Sequence, residues 1–247
     1  MRTRLALILA ALAPVADAAE EQHACVAEAF TTVCRSGERE LRIIQDTTSP
    51  SRQYAVAWEV PDDAAPIKDP ADGSKHLDGG APDNFLVRLA DGKTVSKLGG
   101  THFGDRARYN HYEATAVWSP DSRLVAILNQ SRWETDVAQI YRLSDAGAVS
   151  KPLDLLPICR NVGRKREPKL RRRSGEDYAH SVEVHSVRND GTVSAKCSMQ
   201  VVKQDDYFAF AIRLKVDARR EALVASLLGA RACRDESGPC APREPHE

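Results

Sequence analysis

Residues 118–128 of this chain have the sequence WSPDSRLVAIL. Proline presets φ, and the side-chain oxygens of Ser119 and Asp121 can bond nearby backbone amides, so this stretch predicts a tight turn. The five residues 124–128 that follow are all apolar, which is typical of a central strand buried on both faces. The stretch therefore predicts a turn that leads a strand into the core.

A second stretch, SPSRQYAVAW at 49–58, lines up with 119–128. Each copy is followed by a strand that ends in Arg-Leu and a turn, at 85–92 and at 140–147. Two copies of one β unit are therefore predicted. The predicted units extend over 49–98 and 115–149.

The stretch 118–127 resembles the W-S-P-D-G-x-x-I-A repeat of TolB-type, WD40-like β-propellers. The resemblance covers residues 49–60 and 115–147, with Ser122 in place of the glycine and Ser51 in place of the aspartate. It implies antiparallel, blade-like sheets and a scaffold usually used for protein binding, and it implies no catalytic residue. The copies start 70 residues apart, whereas a propeller blade takes about 40–45 residues, so an open β-sheet is the alternative to a propeller.

Residues 54–60 alternate, with Tyr54, Val56 and Trp58 on one face, which predicts a half-buried strand. The strand ends at 61–84, where prolines and glycines predict that no regular element forms. A loop of about 20 residues is unusual in a compact domain, and the prediction is that it is either mobile or functional.

The C-terminal part predicts an antiparallel meander, because apolar and polar residues alternate in 193–201 and again in 208–216. Residues 221–232 are rich in helix formers, yet their place after these strands favours one more strand. A short helix is indicated only near 152–160, interrupted by Pro157. The predicted fold class is mainly β, with propeller-like or open antiparallel sheets.

The first eighteen residues have the features of a secretory signal. Arg2 and Arg4 precede an apolar stretch at 5–13, and Ala-Asp-Ala at 16–18 matches a cleavage site, so the mature chain is expected to begin near Ala19. The apolar stretch is too short to cross a bilayer, and no transmembrane anchor is expected after cleavage. The prediction is a periplasmic or secreted protein.

The remainder is predicted to be one mostly β domain over 19–235, including the meander at 180–232, followed by a disordered tail at 236–247. The chain has 35 basic and 35 acidic residues, and this balance argues against a nucleic-acid partner.

Six cysteines follow the signal, and in an oxidising compartment disulfides are expected. Six cysteines allow fifteen pairings. Nearness in sequence favours Cys25–Cys34 and Cys233–Cys240, which leaves Cys159 with Cys197. No C-x-x-C spacing is present, so a zinc ribbon or a thioredoxin-type site has no support.

The sequence contains no G-x-S-x-G, H-E-x-x-H, G-x-x-x-x-G-K-[ST] or G-x-G-x-x-G motif. No cofactor and no metal site are predicted, although a catalytic triad can be assembled from distant residues.

The densest group of polar and aromatic residues lies at 101–113, between two predicted strands. Loops held by a sheet are where binding residues tend to collect. The structural alternative is that these residues cap strand ends. The candidate ligand-binding residues are His102, Tyr109, Asn110, His111, Tyr112 and Glu113.

The stretch 160–173 is strongly basic and has no interleaved aromatic residue, so it predicts either a solvated connector or a site for an anionic partner. The candidate anion-binding residues are Arg164, Arg166, Arg171, Arg172 and Arg173. Further along, strand periodicity places Glu183 and His185 on one face and His180 on the other, which favours a surface pair over a three-ligand site.

The leading prediction is an exported, non-enzymatic module that presents the loops 61–84 and 99–114 to a protein or small ligand, and its partner is unknown. One alternative is a secreted hydrolase with a site built from His102, His111 and Glu113. Another is a protein that binds anionic partners through 160–173.

Overall fold

A computed structural model describes residues 25–28, 31–36, 39–60, 83–100, 113–130, 134–166, 178–201, 207–219 and 222–233. The described part contains fourteen strands and one helix, arranged as three antiparallel sheets that follow one another along the chain. The predicted fold class, mainly β with antiparallel meanders, is confirmed. The predicted signal at 1–18 and the tail at 236–247 lie outside the described residues.

The first sheet has six strands in sequence order. They are β1 (Cys25–Ala27), β2 (Thr32–Ser36), β3 (Arg39–Ile43), β4 (Tyr54–Val60), β5 (Asn84–Arg88) and β6 (Thr94–Leu98). The sheet therefore begins well before residue 49, because β1 to β3 precede the predicted unit. Their short, charged sequences carry too little periodicity to mark them as strands.

Strand β4 differs from the half-buried strand that its sequence predicts. Ala55 and Ala57, on the face opposite Val56, are 0 % exposed. The second face of β4 is buried because Ala55 and Ala57 pack in an apolar cluster with larger side chains of the neighbouring strands, among them Leu41 and Phe85.

The second sheet has the order β10-β9-β8-β7. Its strands are β7 (Glu113–Trp118), β8 (Leu124–Gln130), β9 (Thr135–Arg142) and β10 (Leu153–Asp154). Residues Leu124 to Asn129 of β8 are all buried, which confirms the prediction of a central strand with two apolar faces.

A helix, α1 (Leu156–Arg166), precedes the third sheet. That sheet is a meander of β11 (Tyr178–Val187), β12 (Thr192–Val201), β13 (Tyr207–Arg219) and β14 (Ala222–Ala232). Both the meander and the choice of strand for its last segment are confirmed.

The helix extends past the predicted limit at residue 160, and Pro157 does not interrupt it. Proline lies in the first turn, where its missing N–H has no intrahelical partner to lose. Asp154 Oδ1 accepts a hydrogen bond of 3.0 Å from the N–H of Leu156 and so stabilises the start of the helix.

The three sheets pack in a row with the second in the middle. Val56 and Leu86 of the first sheet share an apolar cluster with Val125 and Ile127 of the second. The opposite face of the second sheet, with Ala126 among its residues, packs on α1 and the third sheet. Strand β8 is apolar on both faces because one face packs on the first sheet and the other packs on α1 and the third sheet.

Three turns of matching geometry connect β3 to β4, β7 to β8 and β11 to β12. In each turn an N–H donates to the carbonyl three residues earlier, from Arg52 to Ser49, from Ser122 to Ser119 and from Gly191 to Arg188. Arg52, Ser122 and Gly191 have φ angles of 56°, 61° and 88°. These positions are 70 and 69 residues apart, and the turn that ends at Gly191 lies outside the two copies predicted from the sequence.

The resemblance to TolB-type propellers stays a prediction. Within the described residues, the apolar clusters join the first sheet to the second and the second to the third, and none joins the first to the third.

Candidate functional site

The three turns at 49–52, 119–122 and 188–191 are joined by hydrogen bonds and define one end of the described sheets, called here the turn end. The N–H of Ser51 donates to Ser122 Oγ at 2.9 Å, and the N–H of Asp121 donates to Asn189 Oδ1 at 3.0 Å. Trp118 Nε1 donates to the carbonyl of Thr47 at 2.9 Å. These bonds bridge 68 to 71 residues, so the turn end is tied from sheet to sheet.

The opposite end, called here the loop end, follows from strand direction. In an antiparallel meander, connections alternate between the two ends of the sheet. Because β3–β4 and β7–β8 are joined at the turn end, the connections β4–β5, β6–β7 and β8–β9 leave from the loop end. The two segments predicted to present ligand-binding residues, 61–84 and 99–114, therefore start and finish at the same end.

Buried amides hold the described base of the β6–β7 connection. Asn84 is 1 % exposed, and its Nδ2 donates to the carbonyl of Gly100 at 3.4 Å. Gly100 has a φ of 76°, and a Cβ there would lie 2.7 Å from Cβ and Cγ of Asn129. Only glycine fits between Asn84 and Asn129, so this close approach fixes where the connection leaves the sheet.

Tyr141 lies in the same region and is 2 % exposed. Its hydroxyl donates to Gln139 Oε1 at 2.6 Å. Burial raises the pKa of Tyr141. A hydrogen bond from the backbone at Gly99 lowers the pKa, but this effect is the smaller of the two. The phenol stays protonated at neutral pH and holds the Gly99 backbone next to β9.

An ion pair between Lys97 and Asp83 joins the ends of β5 and β6 at the loop end. Polar contacts also join the second and third sheets nearby, where Gln130 Nε2 donates to the carbonyl of Val182 at 3.0 Å and the N–H of Val182 donates to Thr135 Oγ1 at 2.9 Å. The described part of the loop end is therefore a fixed frame of strand ends.

The candidate ligand-binding residues lie almost wholly outside this frame. Glu113 begins β7, where it pairs with Gln130 of β8. The other five lie outside the described residues: His102, Tyr109, Asn110, His111 and Tyr112.

The candidate anion-binding residues fall into two groups. Arg164 and Arg166 belong to the last turn of α1, which also carries Lys165. Arg171, Arg172 and Arg173 lie outside the described residues.

Sequence reasoning missed an electrostatic cluster beside α1. His180 is 8 % exposed, and its pKa is lowered to about 4, first by burial and then by the positive charges of Arg160 and Arg164. The two arginines are four residues apart, so they lie on one face of the helix. The imidazole is neutral at neutral pH. The spacing of four residues between Arg160 and Arg164 could have predicted that the two arginines lie on one face of a helix.

Glu183 and His185 occupy the other face of β11, as predicted. His185 Nδ1 lies 3.4 Å from Glu183 Oε1, and the Glu183 side chain is well exposed. Across the described ranges, no group of three histidine, cysteine or acidic side chains is placed to hold a metal ion.

Disulfides join Cys25 to Cys34, a pair that nearness in sequence favours, and Cys159 to Cys197, the pair that this choice leaves over. The first links the edge strand β1 to its neighbour β2, and the second attaches α1 to β12. Cys233 is also disulfide-bonded, and the predicted partner Cys240 lies outside the described residues.

These features define a disulfide-bonded, mainly β protein of three packed antiparallel sheets. Comparison with protein-family models, with curated proteins and with solved structures finds no match to the chain. In the part of the chain that the structure describes, no helix has the length and apolar character needed to span a membrane.

Proposed function

We propose that this protein is an exported, non-enzymatic binding module that acts in the periplasm or outside the cell. The predicted secretory signal supports export, and two disulfides are compatible with an oxidising compartment. The proposed partner class is a protein.

The observation that carries the binding role is the separation of the two ends. The turn end consists of short turns whose hydrogen-bonding groups are used to join the sheets. The loop end anchors both long connections next to each other, through Asn84 and through Gly100. A rigid sheet that carries adjacent long connections is the usual frame of a protein-binding surface.

Site-specific photo-crosslinking tests this proposal. A photoreactive residue at Lys97, whose side chain is 62 % exposed at the loop end, is expected to trap a defined partner in the native extracytoplasmic extract. The matched control is Asp145 at the opposite end, whose side chain is 81 % exposed. A partner trapped equally from both positions, or from Asp145 alone, contradicts the proposed surface.

The cluster of Arg160, Arg164 and His180 favours a second candidate, the binding of an anionic partner. All charged residues of α1 are basic, and the two arginines are close enough to depress the pKa of a buried histidine. Such binding is expected to weaken steeply with salt, since exposed charges are screened within about 8 Å at physiological ionic strength. Replacement of Lys165 and Arg166 by glutamine is expected to weaken it further, and binding that is insensitive to salt argues against this candidate.

A further inference from the structure

Helix α1 is fixed against the third sheet at two points. The disulfide Cys159–Cys197 joins the helix to β12. One turn later, a Cβ added at Gly163 would lie 2.6 Å from Met199 Sδ, so the helix backbone rests directly on that side chain. Met199 in turn pairs with His180 of β11. The helix is therefore held next to His180.

The two arginines that lower the pKa of His180 each follow one of these fixed points. Arg160 comes directly after Cys159, and Arg164 comes directly after Gly163. Both act on the imidazole through their positive charge. Because their backbone positions are fixed, two positive charges are kept close to a buried histidine.

The helix itself does not explain the position of Arg160. Basic residues are favourable in the last turn of a helix, and three of the basic residues of α1 lie there. Arg160 is the fifth of eleven helical residues and lies outside that turn. Its Nε is buried and has no hydrogen-bond partner within the described ranges. A buried donor of this kind indicates a bound group that completes it.

The described groups that shift the pKa of His180 by their charge are both positive, Arg160 and Arg164. On β12, Met199 lies opposite His180 and carries no charge. Strand β11 also packs on the second sheet. Acidic residues of β11 and of the second sheet near the loop end are not among the groups that shift the pKa of His180, namely Glu113, Glu134, Asp136 and Glu183. A bound anion would offset the excess of positive charge.

An anion held by Arg160 and Arg164 changes the protonation of His180. The anion offsets part of the positive charge that lowers the pKa of the imidazole, so this pKa rises from about 4 towards its ordinary value of 6.5. Between these pH values, His180 then takes up a proton from solvent as the anion binds. By linkage, the anion binds more tightly as the pH falls through this range.

We propose, in extension of the second candidate function, that Arg160 and Arg164 bind a doubly charged oxyanion, a phosphate or sulfate group, and that His180 takes up a proton when this anion binds. Guanidinium groups match the oxygens of such a group with paired N–H donors. Two adjacent positive charges favour a dianion over a monoanion. The site therefore binds its ligand best at mildly acidic pH.

Titration with inorganic sulfate tests the proposal, because sulfate keeps its double charge across the pH range and the pH dependence then comes from the protein. At constant ionic strength, sulfate is expected to bind the oxidised mature protein about threefold or more tightly at about pH 5 than at about pH 7.5. The His180→Gln variant is expected to lose this difference. Arg160→Gln is expected to lose binding at both pH values. The matched control Arg188→Gln removes an exposed positive charge just beyond the other end of β11 and is expected to bind like the wild type.

The imidazole of His180 gives a second readout, by NMR. Added sulfate is expected to move its titration to higher pH in the wild type and not in Arg160→Gln. Sulfate that does not bind, or that binds Arg160→Gln as tightly as the wild type, overturns the site. Binding that needs Arg160 but is equally tight at both pH values, with an unmoved His180 titration, overturns the coupling. The salt dependence of partner binding tests the second candidate function separately.

The same oxyanion group occurs as a free ion and as an ester on a larger molecule. A sulfated oligosaccharide, titrated in parallel, separates these two sources. If it displaces sulfate and binds more tightly than sulfate, the ligand of the site is a larger molecule. If it does not displace sulfate, the ligand is the free ion.

Discussion

Arg52 and Ser122 show how one turn geometry is kept with two different side chains. Both residues have φ near 60°, a conformation that costs a non-glycine residue about 1–2 kcal/mol. Arg52 is exposed, whereas Ser122 is 4 % exposed and its Oγ accepts the N–H of Ser51 from the neighbouring turn. Ser122 therefore combines a strained backbone with a hydrogen bond that joins the first and second sheets.

Arg52→Gly is therefore expected to stabilise the fold, by about 0.5–1 kcal/mol, because it relieves the strain and removes no described contact. Ser122→Ala is expected to destabilise it by about 1 kcal/mol, because the strain stays and the N–H of Ser51 loses its acceptor. Denaturant unfolding of both variants measures the two free energies. A Ser122→Ala variant as stable as the wild type would show that the hydrogen bond from Ser51 contributes nothing.

His180 predicts a specific dependence of stability on pH. Its pKa is near 6.5 in the unfolded chain and about 4 in the fold, so the folded state binds fewer protons between these values. The contribution to stability is complete above pH 6.5 and is lost as the pH falls towards 4, with a total of roughly 3 kcal/mol.

Carboxylates titrate in both the wild type and the His180→Gln variant, so a comparison of the two proteins isolates the contribution of His180. Urea unfolding of wild type and variant across the acidic range gives the difference between their free energies, which is expected to shrink as the pH falls from 6.5 to 4. A difference that is constant with pH would mean that His180 is not desolvated in the fold.

At the scale of elements, strands with long, regular alternation were predictable from the sequence. The inward residues of β12 and β13, such as Cys197 and Ile212, are buried, because one face of the third sheet covers α1 and the second sheet. The half-buried prediction for β4 was wrong, because larger side chains of β3 and β5 cover the small alanines of its second face. Strands β1 to β3 were missed, since they depend on pairing and a disulfide rather than on periodicity.

The two described disulfides are expected to contribute unequally. Cys159–Cys197 closes 38 residues and Cys25–Cys34 closes 9, so constraint of the unfolded chain predicts contributions of roughly 4 and 2.5 kcal/mol. Paired replacement of Cys159 and Cys197 by alanine is expected to lower the melting temperature more and to speed hydrogen exchange in α1. A larger loss from replacing the Cys25–Cys34 pair would show that β1 and β2 support the first sheet more than their edge position suggests.

In the whole molecule, the hydrogen bonds that join the sheets connect residues far apart in sequence, so the sequence did not predict them. The bonds from Ser51 to Ser122 and from Asp121 to Asn189 join turns about 70 residues apart, and nothing in one turn specifies its neighbour. The turn Asn189-Asp190-Gly191 was predictable from its residue types, and only its likeness to the first two turns was hidden, because it shares none of their serines and prolines. Its geometry is conserved only in the backbone, where a residue with positive φ closes each turn.

The sequence predicted which segment of the loop end carries candidate binding residues, but it did not predict the side chains that hold that segment in place. The histidine and tyrosine content of 101–112 indicated a candidate site, whereas Asn84, Gly100 and Asn129 carry no motif. Their role arises from the approach of two sheets, where a glycine with positive φ fits against a buried amide. Tertiary packing of this kind leaves no periodic signal in the chain.

We propose that the partner binds at the loop end, and its affinity for three forms of the protein tests this proposal. The partner is expected to bind the wild type and Asp145→Ala with equal affinity. It is expected to bind about tenfold or more weakly to a variant in which His102, Tyr109, His111 and Tyr112 are alanine, as loss of a few central contacts does. Equal affinity for all three forms, with unchanged melting, would contradict the claim.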